Sequence, residues 1–193
     1  MTRFAPIVFL WSAAVGCGLV AGGKGPTAAS DAPAAHADVV ASLKCIDEVS
    51  GRNWAAKVAA DRVERCTFHG RDGTLELLVG DAFELRIMDF TGTGSYLTSP
   101  GKKNTRVSVF AQGGPEGAAT TRADSEMDAC KVICNVEVAS STVNTVEPGA
   151  KGTVSVEVKC PILARPSGEG CVTCQITPPE FAKISTPSCD RVD

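Results

Sequence analysis

The sequence predicts an all-β domain, either an antiparallel β-sandwich or a small barrel, that is stapled by disulfide bonds. Apolar and polar residues alternate over short runs bounded by Gly, Pro, Asn and Asp, and the 193 residues include nine cysteines. A content of 44% apolar and 21% charged residues is typical of a globular protein. A net charge of −3 without any long basic run disfavours nucleic acid as a partner, because phosphate binding needs concentrated Lys and Arg.

Residues 1–16 have the features of a secretory signal peptide. A short start whose only charge is Arg3 precedes an apolar run, which is the order of segments in such signals. The run is too short to cross a bilayer as a helix, since a span needs about 20 residues. We therefore expect the chain to be exported.

The signal ends in Ala-Val-Gly-Cys at positions 14–17, which resembles the lipobox of bacterial lipoproteins. The resemblance implies that Cys17 is acylated and becomes the first residue of the mature chain, with a membrane as partner. Ala14 stands where a lipobox usually has leucine. Gly18, rather than Asp, follows the cysteine, and this resembles the sorting signal of lipoproteins of the outer membrane. The alternative is ordinary cleavage near Ala21 or Gly22, which leaves no anchor.

The odd number of cysteines supports modification or removal of Cys17. An exported protein tends not to keep a spare reactive thiol, and nine cysteines cannot all pair within one molecule. Without Cys17 the remainder can form four disulfides. These cysteines are Cys45, Cys66, Cys130, Cys134, Cys160, Cys171, Cys174 and Cys189.

Residues 17–37 are interpreted as a lipid-anchored flexible tether. Almost all of them are small and two are prolines, so they bury too little apolar area to offset the entropy lost on ordering. This assignment leaves residues 38–193 as the disulfide-rich β domain.

Alternation predicts strands at Thr74–Val79, Phe83–Ile87, Thr105–Phe110 and Thr153–Cys160. The first two flank a three-residue connection that suits a β-hairpin. Period-two patterns of this kind are typical of half-buried strands in antiparallel sheets.

The segment from Asn53 to Cys66 permits two interpretations. Its Ala, Lys, Glu and Arg content favours a helix capped by Asn53. However, Gly-Arg-Asn-Trp-Ala at 51–55, Gly-Thr-Leu-Glu-Leu at 73–77 and Thr-Gly-Thr-Gly-Ser-Tyr at 91–96 together resemble the layout of uncharacterised bacterial lipoproteins built as β-sandwiches. The resemblance implies that the tryptophan opens an early strand, and it implies no known activity. We therefore predict a strand over residues 54–60.

The segments 132–140 and 153–160 predict a hairpin centred near Glu147. Cys134 and Cys160 are equally far from that centre along the chain. Opposed residues on neighbouring strands have Cα atoms about 5.5 Å apart, as a disulfide needs. We therefore predict a Cys134–Cys160 disulfide, with a bulged loop and another partner for Cys134 as the alternative.

The other pairings are less constrained. Cys130 and Cys134 are about 13 Å apart on an extended strand, which is too far for a bond. Cys130 must therefore pair elsewhere, and we expect its partner to be Cys171, Cys174 or Cys189. Cys45 and Cys66 both lie in the first third of the chain and are predicted to form the remaining pair.

The CxxC motif of Cys171 and Cys174 suggests either a redox pair or structural cysteines. Thioredoxin-like enzymes place this motif at the start of a helix, but no helical pattern follows it here. This favours structural disulfides. The same two cysteines together with Cys130 and Cys134 have a spacing that zinc could use, but an oxidising compartment favours disulfides over metal ligation.

Other candidate sites are weaker. Asp124, Glu126 and Asp128 alternate as in a calcium loop, but an EF-hand needs Gly and Glu where Ala129 and Asn135 stand, so a solvated acidic loop is expected. His36 is assigned to the tether. His69, beside a glycine, has no neighbouring nucleophile in sequence. Trp54 is expected in the core rather than at a ligand platform.

The sequence therefore predicts a non-catalytic lipoprotein of the bacterial cell envelope that needs no cofactor or metal. It would bind or scaffold an unidentified envelope protein or ligand, anchored through Cys17 to the outer membrane and facing the periplasm or the cell surface. One alternative is a periplasmic thiol–disulfide redox protein that uses Cys171 and Cys174. A second alternative is an unanchored secreted binding protein.

Overall fold

A computed structural model of the chain describes residues 34–98, 105–112, 118–124, 130, 134–167 and 169–193. These residues form thirteen β-strands and no helix, which confirms the predicted all-β class. The strands are β1 His36–Asp47, β2 Asn53–Ala60, β3 Val63–His69, β4 Thr74–Val79, β5 Phe83–Ile87, β6 Gly94–Leu97, β7 Thr105–Gln112, β8 Ala118–Asp124, β9 Asn135–Ser141, β10 Lys151–Lys159, β11 Ile162–Ser167, β12 Gly170–Thr177 and β13 Glu180–Val192.

Seven of the strands follow one another in a ring that nearly closes. The ladder runs β1, β2, β7, β5, β4, β3 and β13, and β13 pairs with β1 again. Among the described residues, the junction between β2 and β7 has the fewest register pairs of the ring, with Lys57 opposite Gln112. β12 and β11 extend the sheet beside β1, and β10, β9 and β6 extend it beside β13. The sheet is therefore barrel-like, with a flap of strands on each side of the β1–β13 junction.

Strand β1 changes partner along its length. Residues from His36 to Val39 pair with β13, whereas residues from Ser42 to Asp47 pair with β12. The strand begins before residue 38, where the tether was expected to end. Ala37 is 1% exposed and lies opposite Ile184, so its small side chain belongs to the buried face of the strand. The alternation of buried and exposed residues on β1 therefore begins before residue 38, which is earlier than the composition of the segment predicted.

The ambiguous segment is a strand, as predicted. Residues 53–60 form β2, in which Trp54 lies opposite Cys45 and Val58 lies opposite Ala41. Ala56 and Val58 are buried. Pairing with β1 buries this face, and this tertiary contact outweighs the helix propensity of the alanines.

Two predicted hairpins are confirmed. β4 and β5 pair from Leu75–Ile87 to Val79–Phe83. β9 and β10 pair at Val136–Val158 and Val138–Val156, which places the centre of the hairpin at the predicted position. The prediction for residues 105–110 is confirmed by β7.

The core is built mainly from aliphatic side chains and cysteines rather than aromatic ones. Phe83 and Phe181 are its largest fully buried side chains, and their rings meet edge to face with centroids 5.8 Å apart. All eight cysteines of the head are buried.

Candidate functional site

The eight head cysteines form four disulfides. Cys134 is bonded to Cys160 with a Cα–Cα distance of 4.4 Å, which confirms the hairpin prediction. Cys130 is bonded to Cys171, one of its three predicted partners. Four disulfides are consistent with an oxidising, exported environment.

The predicted Cys45–Cys66 pairing is wrong. Cys45 is bonded to Cys174 and Cys66 to Cys189. The reason lies in the topology, because β1 pairs in register with β12 so that Cys45 stands directly opposite Cys174. Cys66 precedes Thr67, whose register partner on β13 is Asp190, so Cys66 adjoins Cys189. Neighbours in the sheet are therefore distant in the sequence.

The two cysteines of the CxxC motif have different partners. Cys171 and Cys174 are three residues apart on β12, so their side chains leave opposite faces of the strand. Their partners are Cys130 and Cys45, respectively. Both cysteines are buried, at 7% and 0% exposure. The motif therefore fastens β12 to two other parts of the chain.

His69, the histidine considered for nucleophilic catalysis, lies at the end of β3. Its Nε2 is 3.6 Å from Glu76 Oε2, and the other carboxylate oxygen of Glu76 is 3.4 Å from Arg86 Nε. One carboxylate is thus shared by two side chains on the partly exposed face of β3, β4 and β5. His36 is exposed on β1, in the strand rather than in a tether.

Several predicted sites lie wholly or partly outside the described residues. These are the signal peptide, Cys17 and its acyl group, most of the tether, and two members of the acidic run, Glu126 and Asp128. Asp124 ends β8, opposite Arg106. Among the described residues, no group of three or more His, Cys, Asp or Glu side chains is arranged to hold a metal ion. In the same part of the chain, no helix has the length and apolar character needed to span a membrane.

The two polar-tipped aromatic residues in the described part of the chain, Tyr96 and Trp54, have different surroundings. Tyr96 stacks on Phe90, with ring centroids 5.6 Å apart, and its hydroxyl donates to the Gly92 carbonyl at 2.8 Å. Trp54 packs against the core as predicted. However, its Nε1 is buried and has no hydrogen-bond partner among the described residues. Both the ring and the hydroxyl of Tyr96 therefore have partners, whereas the indole N–H of Trp54 has no hydrogen-bond partner among the described residues.

Among the described residues, a groove lies on the outer face of four neighbouring strands, β11, β12, β1 and β2. It has a volume of about 730 Å³, a size that suits a small organic ligand. Its lining includes the outward side chains Lys44, Ile46, Asn53, Ala55, Ile162, Thr173 and Gln175, and Trp54 also borders it. Sequence reasoning missed this groove, because its residues meet only through the register of the sheet.

The groove has an apolar end and a cationic end. Ile162 on β11 and Ile46 on β1 are 41% and 42% exposed, so both present apolar surface to solvent. A second depression shares Lys44 and Ala55 with the groove and continues to Lys57 on β2. The apolar side chains Ile162 on β11 and Ile46 on β1 therefore share a surface with Lys44 on β1 and, beyond it, Lys57 on β2.

The two lysines form a local positive site. Lys44 is opposite Ala55, and Lys57 is two residues farther along β2, so the lysines are diagonal neighbours. Neither makes an ion pair within the described ranges. At the other end, Glu48 accepts a hydrogen bond from Thr173 Oγ1 at 2.9 Å.

The turn that joins β1 to β2 is held by Asp47. Its Oδ1 accepts hydrogen bonds from the backbone N–H groups of Val49 and Ser50, at 3.0 and 3.3 Å. Hydrogen bonds from the Ser50 side chain and backbone lower the pKa of Asp47, because they stabilise its ionised form. This turn fixes the register of the two strands that carry the lysines.

Comparisons of the chain with protein-family models, with curated proteins and with solved structures find no match. The resemblances to a lipobox and to uncharacterised β-sandwich lipoproteins therefore stay predictions.

Proposed function

We propose that this protein is a lipoprotein of the bacterial cell envelope that acts by binding rather than by catalysis. In this proposal Cys17 carries the acyl anchor in the outer membrane, a spacer follows, and the head faces the periplasm or the cell surface. The observation that carries the proposal is the disulfide count. Four disulfides use eight of the nine cysteines, so Cys17 has no cysteine left with which to pair.

The groove over β11, β12, β1 and β2 is the surface that best supports a binding role. Two disulfides hold β12, one of the four strands of the groove. Cys45–Cys174 joins it to β1, and Cys130–Cys171 joins it to a more distant part of the chain. A preformed site on paired strands loses little conformational entropy when a ligand binds. The head would therefore present a rigid surface to a ligand or to another envelope protein.

The disulfide pattern also bears on the redox alternative. A dithiol enzyme needs two cysteines that bond to each other and exchange with an external thiol. Cys171 and Cys174 are buried and joined to Cys130 and Cys45, which favours the structural role. Peptide mapping without reduction tests this choice, since a Cys171–Cys174 cross-link would support the redox protein.

The anchor is tested by mass spectrometry and by detergent phase partitioning of the chain expressed in a bacterium that processes lipoproteins. We expect the mature N terminus at Cys17 with acyl mass added, and partitioning into the detergent phase. Cys17→Ala should move the protein to the aqueous phase. A Thr27→Ala variant, which keeps the cysteine, is the matched control. An N terminus near Ala21 with no added mass would instead identify an unanchored secreted protein.

A further inference from the structure

We propose that the groove binds a small amphiphilic anion of fatty-acid chemistry, with its apolar body beside Ile46 and Ile162 and its negative group at Lys44 and Lys57. This inference rests on the proposed binding role of the groove. It does not depend on the acyl anchor at Cys17, which is tested separately by mass spectrometry and detergent partitioning.

The first argument is the order of groups across the sheet. Ile162 lies opposite Gln175, Gln175 opposite Lys44, and Lys44 opposite Ala55. Three strand spacings of about 4.8 Å separate the ends of this row, so it is about 14 Å long. A linear chain of about ten carbons has a comparable extended length. Lys44 is the third residue of this row, and Lys57 follows its last residue, Ala55, by two positions on β2, so both lysines lie toward the β2 end. The row therefore matches an elongated ligand with one charged end.

The second argument is the positive charge that lacks a counter-ion. The ammonium groups of Lys44 and Lys57 are exposed neighbours, and no described carboxylate pairs with either of them. By contrast, Lys151, Lys159 and Lys183 all pair with acidic side chains. A carboxylate placed between Lys44 and Lys57 would relieve their mutual repulsion. The charge of the site therefore selects anions over cations.

The third argument is the small side chain at the cationic end. Ala55 lies opposite Lys44 and two positions before Lys57 on β2, so the outward position between the two lysines carries only a methyl group and a headgroup can approach both of them. Asn53 and Gln175 add amide groups at the edges of the groove. These amides can donate hydrogen bonds to a carboxylate but provide no second charge.

An extended anionic membrane surface fits less well. The chain as a whole carries a net charge of −3, so a negatively charged bilayer would repel most of its surface. The site is also concave, whereas docking on a bilayer favours a flat or protruding apolar face. Local complementarity therefore points to a ligand that enters the groove.

The test uses decanoate as the probe and the exported chain carrying Cys17→Ala, purified without detergent so that no other amphiphile competes. Binding is followed by ¹⁵N NMR and by calorimetry. We expect the amide signals of Lys44, Ala55 and Gln175 to shift, with a Kd of about 0.1–1 mM. Decanol and decylamine, which have the same chain length without the negative charge, should bind at least about tenfold more weakly.

Variants separate the two ends of the groove. Lys44→Glu combined with Lys57→Glu should weaken decanoate binding by at least about tenfold, and Ile46→Asn should weaken it by about three- to tenfold. Arg71→Glu, at an exposed turn between β3 and β4, is the charge-matched control and should change nothing. The milder Lys44→Gln with Lys57→Gln serves if the double charge reversal does not fold.

Several results would overturn the inference. They are equal binding of decanol and decanoate, shifts confined to other surfaces, or decanoate binding that is insensitive to both lysine variants. Binding of an acidic Gly-Glu repeat peptide without decanoate binding would assign the groove to polypeptides instead. None of these results changes the mass measured at Cys17. Failure of the ligand proposal can therefore be distinguished from failure of the lipoprotein proposal.

Discussion

Cys66 and Cys189 are joined across the junction where β13 runs parallel to β3. Every other strand pairing in the described sheet is antiparallel. The parallel ladder is short, since three register pairs from Thr67–Asp190 to His69–Val192 define it. The disulfide therefore fixes the point at which the C-terminal strand closes the ring.

Removing this bond should destabilise the head and loosen its closure. For Cys66→Ala with Cys189→Ala we expect a loss of about 3–4 kcal/mol in the free energy of unfolding, because the unfolded chain gains freedom. The Cys45–Cys174 bond remains and limits that gain, since it still links the two regions. Urea unfolding and hydrogen exchange provide the measurement.

The matched control is Cys134→Ala with Cys160→Ala, which opens the local β9–β10 hairpin. Both double variants should lose stability. Only the first should speed amide exchange at Phe68 and Arg191, which pair across the parallel junction. Equal protection of these amides in both variants would contradict the closing role of Cys66–Cys189.

The outcome for the cysteines shows what a sequence can predict here. Cys134 and Cys160 are 26 residues apart, and one hairpin centre determines their register. Cys45 and Cys174 are 129 residues apart, and they meet only because β12 docks beside β1. Alternation predicts strands, but it does not specify which distant strands become neighbours. That limit explains the wrong Cys45–Cys66 pairing.

The same limit applies to the groove. Ile46 and Ile162 have no relation in sequence that would place them on one surface. Their exposure is visible only after β11 and β12 are ordered beside β1. Trp54 was easier to place, because it shares the inward parity of Ala56 and Val58 on one strand.

The hydroxyl of Tyr96 should be measurably stabilising. It accepts a hydrogen bond from the Thr91 backbone N–H at 3.1 Å and donates to the Gly92 carbonyl at 2.8 Å. Tyr96→Phe keeps the ring stacked on Phe90 but removes both bonds, so we expect a loss of about 1–2 kcal/mol in unfolding free energy. Thr93→Ala, at an exposed position directly before the same strand, should cost less than about 0.5 kcal/mol. Equal effects of the two variants would refute this assignment.

Gly152 should not tolerate a side chain. A Cβ at this position would overlap the Cα of Val143 and lie 2.7 Å from its backbone nitrogen. Val143 is fully buried, so it has little room to move. Gly152→Ala should therefore lower the unfolding free energy by about 1–3 kcal/mol, as measured in urea. Glu147→Ala, in the exposed loop of the same hairpin, is the control. Wild-type stability of Gly152→Ala would mean that the backbone separates at little cost.

The carboxyl group of Asp47 should titrate below its ordinary pKa of 3.8, because hydrogen bonds from the Ser50 side chain and backbone favour the ionised form. A pKa that is lower in the folded state stabilises the fold above the unfolded value, and this stabilisation is lost as pH falls through the folded value. The effect is therefore confined to acidic solution, from about pH 3.8 downward.

Carboxyl ¹³C NMR titration measures this pKa directly. Ser50→Ala removes the side-chain hydrogen bond and leaves the backbone N–H, so the pKa of Asp47 should rise part of the way toward 3.8. Ser42→Ala, an exposed change in the middle of β1, should leave it unmoved. Because the turn sets the register of Lys44 against Ala55, protonating Asp47 should also broaden the amide signals of these two residues. A pKa for Asp47 that is the same in wild type and Ser50→Ala would show that the serine hydroxyl does not bond to the carboxylate in solution.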